Sequence, residues 1–144
     1  MIPQVILSAR LTFYHSDDCA VVAAALAAVL PETQGHVLNH VSVRAAVWHR
    51  SPAIHAWFRQ HCQDGYDFCP EVWVSRPLLQ SLVDMTLTVL ADPRRADDLL
   101  PGHWQGWDSH DRLQQQLVYT RDTVTALLNN PGFARWEFYY HSSG

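Results

Sequence analysis

The chain has 144 residues, 48% of them hydrophobic and 17% charged, with a formal net charge of -4. A chain of this length suits one domain that buries about 68 to 70% of the surface its unfolded form exposes, and the composition excludes a disordered tail. All ten basic residues are Arg, which excludes a Schiff-base lysine and a Walker-type phosphate loop and argues against a duplex nucleic-acid surface, since neutralising phosphates takes a dense basic stripe.

Residues Gln4 to Tyr14 place Val5, Leu7, Ala9, Leu11 and Phe13 on one parity, the period of a strand with one buried face. His15 to Asp18 supply turn and cap chemistry for a helix from about Cys19 to Leu30, stopped by Pro31. That helix is apolar nearly all round, so it belongs either in the core or under a partner subunit; the core is the expected place, and an oligomer built through helix 19-30 is the alternative. The run is shorter than the roughly 18 apolar residues that span a bilayer. Asp17 and Asp18 also stand where a signal peptide carries positive charge. A cytoplasmic protein with no membrane partner is the expectation, and three Cys (Cys19, Cys62, Cys69) fit reduced thiols rather than a disulfide frame.

Val37 to Val47 alternates again and is expected to pair with the first strand. Ser51 then offers an N-cap and Pro52 the first position of a helix that runs to about Gln63 and ends at Asp64-Gly65. Ile54, Trp57, Phe58 and Cys62 form its buried stripe, with His55 on the flank. Val72 to Val74 reads as a short strand. A second helix follows Ser75 to about Ala91, with Leu79, Leu82, Val83, Thr86 and Leu90 inward, and a short helical turn reaches Leu100. The last long helix starts near Ser109 and carries a seam of Leu113, Leu117, Thr120, Val124 and Leu127. Asn129 to Gly132 ends it, and Arg135 to His141 alternates as a strand expected antiparallel to Val72-Trp73-Val74. The predicted fold is a single α+β domain over 1-144: three main helices packed with a small antiparallel sheet, plus an N-terminal strand-helix-strand extension.

Chemistry-bearing side chains concentrate between Trp48 and Cys69. His61, Cys62, Asp67 and Cys69 are metal-capable, but a structural zinc site wants paired Cys-x2-Cys spacings, and adjacent helical residues point about 100° apart, so no metal or other cofactor is expected. His55 and Asp67 have the residue types of a general base and the carboxylate that orients it. Nothing else in the chain supplies a nucleophile elbow, and an Asp capping a turn beside a His bonded to a carbonyl has the same sequence. Trp104 and Trp107, in a Gly-flanked loop with Asp108, have the residue types that stack on a ligand or anchor an interface. Arg50 lies one turn before His55 and can lend charge to an anion. On the last strand, Tyr139, His141 and Ser143 share one parity.

From about Ala45 onward the chain resembles an uncharacterised family of small bacteriophage and prophage proteins. The resemblance rests on Trp48, Ala53-Ile54-His55-Ala56-Trp57-Phe58, Asp67-Phe68-Cys69, Leu99-Leu100-Pro101 with the loop after it, and Tyr139-Tyr140-His141-Ser142-Ser143. Here Pro52 stands where the family pattern has Asn, His141 where it has Gln, and Gly144 where it has Trp. The family core is thus 45-144, with 1-44 outside it. The resemblance implies a phage accessory role in the host cytoplasm and carries no activity with it.

Two functional expectations follow. In the first, the His55 helix, the loop with Trp104, Trp107 and Asp108, and the terminal strand make one surface, with Arg50, that binds a host protein or a small polar ligand. In the second, His55 and Asp67 serve a small hydrolase or transferase acting on a phosphate- or acyl-containing substrate.

Overall fold

A computed structural model describes residues 4-62, 71-100 and 110-143. Among them are four strands in one sheet: β1 (Gln4–Thr12), β2 (His40–Trp48), β3 (Val72–Val74) and β4 (Glu137–Ser143). Their order across the sheet is β2-β1-β4-β3, and every neighbouring pair is antiparallel. Both expected pairings are present. Val5 faces Trp48 across β1 and β2, and Val74 faces Phe138 across β3 and β4. The first strand of the N-terminal strand-helix-strand unit is therefore an inner strand, bonded to β2 on one side and β4 on the other.

Three helices pack with the sheet: α2 (Pro52–Cys62), α3 (Arg76–Ala91) and α5 (His110–Asn129), with the single turn α4 (Ala96–Leu99) following α3. The chain is α+β, as its alternating patterns require. Val5, Leu7 and Ala9 of β1 and Phe138 and Tyr140 of β4 join Ile54, Phe58, Leu82 and Leu117 of the helices in one core. Phe58 lies flat on Tyr140, with ring centroids 4.7 Å apart.

The helix boundaries follow local chemistry. The Ser75 hydroxyl accepts the Leu78 N–H at 3.2 Å and opens α3 ahead of Pro77. All five residues of the α5 seam are buried, as spaced. On α3 the buried face is wider than one stripe: Met85 and Val89 are also buried and Leu90 only half so, because α3 packs on α5 as well as in the common core.

The core placement expected for the apolar helix does not hold. α1 (Ala20–Val29) has no buried residue, and Val21 and Val29 are 84% and 77% exposed. Its principal neighbours are the short 3-10 turns that flank it, Ser16–Cys19 and Pro31–Thr33. The physical reason is the tether: α1 is inserted between β1 and β2 beyond their last pair, Thr12 with His40, and Phe13 still bonds Asn39 past that point. The two strands carry it away from the body as an arm. Among the described residues no helix is long and apolar enough to cross a membrane.

Candidate functional site

His55 projects from α2 into the core and is 7% exposed. Its Nδ1 is hydrogen-bonded to the Tyr140 hydroxyl at 2.9 Å, the direction set by the imidazole tautomer. Strand alternation then decides the rest: with Tyr140 on the core side, Tyr139 and His141 stand on the opposite face of the sheet. The structure does not bring His55 together with Tyr139 and His141, because the sheet lies between them. Ser143 pairs with Gln4 at the end of β4. Asp67, Trp104, Trp107 and Asp108 lie outside the described residues, as does Cys69.

The outer face has its own polar row. The Arg10 guanidinium sits 4.2 Å from the centre of the Tyr139 ring and also pairs with Glu71. The Tyr139 hydroxyl donates to Glu137 at 3.0 Å. Burial, reinforced by the Glu137 carboxylate, pushes the Tyr139 phenol above its ordinary value. Trp73, paired with Tyr139 across β3 and β4, remains 57% exposed. Tyr139 is thus a neutral, tethered ring between two charged side chains, which suits a structural cross-strand contact.

The thiol of Cys62 is pushed up to about 11 by burial. At neutral pH it is protonated and a poor nucleophile. Among the described residues no three His, Cys, Asp or Glu side chains converge as metal ligands.

Arg50 lies in the turn between β2 and α2, with φ at +49°, a left-handed conformation that costs a side-chain-bearing residue about 1 kcal/mol. Side chains of α5 hold it there. Arg112 Nη2 donates to the Arg50 carbonyl at 2.8 Å and to that of His49 at 3.3 Å, and Gln116 Nε2 reaches the Arg50 carbonyl at 3.4 Å. Ser51 donates to the Gln116 carboxamide oxygen at 2.8 Å. Beneath this clasp the Trp48 indole donates to Thr120 at 2.8 Å, and Thr120 donates to the Gln116 carbonyl at 2.7 Å.

Beside the clasped turn opens a cavity of about 390 Å³. Val47 and Trp48 form its apolar wall, and Arg112, Gln115 and Tyr119 face them from α5. The Tyr119 hydroxyl accepts the Val47 N–H at 3.1 Å, which leaves its own proton to donate. None of these α5 residues stood out in the sequence. The available signal was their spacing: 112, 116 and 119 form a polar stripe next to the apolar seam at 113, 117 and 120.

α1 is the second surface feature. One side of the helix carries only Ala20, Ala23, Ala24, Ala27 and Ala28, and the other carries Val21, Val22, Leu26 and Val29. The alanine side borders a groove of about 500 Å³ closed by the return through Thr33, Gln34 and His36. The valine side faces outward.

Comparison of the chain with protein-family models, with curated proteins and with solved structures gave no match in any of the three.

Proposed function

We propose that the chain is a binding module that docks on a partner protein through α1. The observation that carries this reading is that all ten residues of α1 are apolar and none is buried. Burying an aliphatic side chain is worth about 1.5 to 3 kcal/mol, so a helix that leaves all of them in water forgoes its main source of stability unless something covers it. A contiguous apolar surface rimmed by polar residues is how docking sites look. The rim here includes Asp17, Asp18 and Glu32, and no Arg or Lys occurs between Arg10 and Arg44.

That charge pattern speaks for protein rather than lipid. Helices that lie on a membrane carry Lys or Arg toward anionic headgroups, and ten residues span about 15 Å, half the hydrocarbon thickness. The partner is a second copy of this chain or another protein with an uncharged apolar groove. In line with the family resemblance, the module would act in the host cytoplasm as a phage accessory protein that engages host machinery.

A photo-crosslinking residue at position 25, used in the host cell alongside light scattering of the purified protein, tests the reading. The expected result is one crosslinked protein species, self or foreign, that disappears in Val21→Glu/Val29→Glu. A monomer that crosslinks only to lipid, or a species that survives the double substitution, would overturn it.

A further inference from the structure

We infer that two copies of the chain join edge to edge through β2, antiparallel about Ser42, so that each α1 comes to lie along the other copy. This rests on the reading of α1 above only for the cover that the helix receives, since the strand edge is a separate observation.

The backbone of an unpaired edge strand is a template for another strand. At one edge of the sheet β3 is three residues long, and shortness is itself a protection. At the other edge β2 has nine residues and neither Pro nor Lys. Its last part is closed. The Val47 N–H is taken by the Tyr119 hydroxyl, and the register shift opposite Leu7 and Ser8 leaves Ala45 as an extra residue in a bulge. His40 to Arg44 has no such cover. Among the described residues no strand lies on its outer side, and His40, Ser42, Val43 and Arg44 are exposed. The Phe13 N–H bonds the Asn39 carbonyl, so Asn39, Val41 and Val43 turn their backbone groups toward β1. His40, Ser42 and Arg44 turn theirs outward.

The same segment of a second copy fits this edge. Only a twofold axis at Ser42 uses all three outward residues, pairing Ser42 with its counterpart and His40 with Arg44. That register also sets Val41 against Val43 twice over, on the sheet face that carries Ala9 and Leu11, and β-branched cross-strand pairs stabilise such a ladder.

Charge favours the same arrangement. Arg44 makes no ion pair among the described residues, and neither do Asp17, Asp18 and Glu32 at the ends of α1. Within one copy the acids and Arg44 stand at opposite ends of the exposed edge, because the arm begins beyond His40. Antiparallel pairing brings the arm of each copy to the Arg44 end of the other, where the charges are complementary. Past Arg44 the arm meets Val47 and the Tyr119 ring, which is 40% exposed. Three residues of strand cover about 10 Å, within the roughly 15 Å length of α1.

Light scattering of the full chain over a concentration series, with residue-resolved amide hydrogen exchange, tests the pairing. A dimer is expected, and where it forms the Ser42 and Arg44 amides should slow at least about tenfold, while those of Val41 and Val43 are slow throughout. Ser42→Pro removes an N–H that β1 does not use, as edge strands tolerate, and should weaken the dimer at least about tenfold. A chain that stays monomeric up to about millimolar concentration overturns the inference, as does a dimer whose Ser42 and Arg44 amides exchange freely, or one that survives Ser42→Pro. If such a dimer is lost in Val21→Glu/Val29→Glu, the reading of α1 stands and only the edge pairing fails. A dimer lost in Ser42→Pro and untouched by Val21→Glu/Val29→Glu supports the edge pairing and removes α1 from it.

Discussion

α1 and α2 are ten and eleven residues long, lie on either side of β2, and have opposite fates. Every α1 side chain is aliphatic and none is buried; α2 carries two His, an Arg and a Gln yet buries Ala53, Ile54, His55, Trp57 and Phe58. The more hydrophobic helix is the exposed one. The difference is position on the chain: α2 leaves β2 at Trp48, where the sheet meets the core, whereas α1 sits beyond the far end of the β1-β2 pair, outside the core formed by the described residues. Amphipathicity tells which face of a helix will be buried once a body is present. Uniform apolarity tells only that cover is needed, and none of the residues of α1 finds it in the monomer described here.

The largest test of this contrast lies in the body. Phe58 is fully buried between Trp48, Trp57 and Tyr140. Phe58→Ala should cost about 3 to 5 kcal/mol in denaturant unfolding, a large part of a domain's total stability. A loss below about 1 kcal/mol would show that α2 is not the keystone of the core.

Most of the body was legible from local rules. Period-two runs located β1, β2 and β4, Ser-Pro and Ser-x-Pro starts located α2 and α3, and the 113-117-120-124-127 seam is buried residue for residue. Sequence does not locate what depends on three dimensions. Apolarity alone predicted a core position for α1, since no local signal reports how far a hairpin carries its tip. His55 and Tyr139 looked like one site because they share chemistry, but the one-residue offset between Tyr139 and Tyr140 puts them on opposite faces of a sheet. The clasp of Arg50 by Arg112 and Gln116 joins residues more than sixty apart, a contact no spacing rule reaches.

A smaller effect tests the polar contact inside the body. Tyr140→Phe keeps the stacked ring on Phe58 and removes only the hydroxyl bonded to His55 Nδ1. Because the contact is buried, its loss should cost about 1 to 3 kcal/mol, more than an exposed hydrogen bond contributes. In a double-mutant cycle with His55→Ala the two changes should couple by about 0.5 to 3 kcal/mol. Additive losses would mean that His55 and Tyr140 stabilise the fold separately, and the buried pair would lose its role in seating α2 on the sheet.

The smallest effect on stability is expected where the sequence is most hydrophobic. Val21→Glu/Val29→Glu places two charges on side chains that are already 84% and 77% in water, so the unfolding free energy of the monomer should change by no more than about 0.5 kcal/mol. The equivalent change at Ile54 of α2 would bury an unpaired carboxylate and unfold the domain. Unfolding measured at low protein concentration, where partners are absent, makes the comparison direct. If the α1 double variant loses more than about 1.5 kcal/mol there, the arm folds back on its own body in solution. In that case the valine face is an internal contact, and α1 differs from α2 in when it packs rather than in what it packs against.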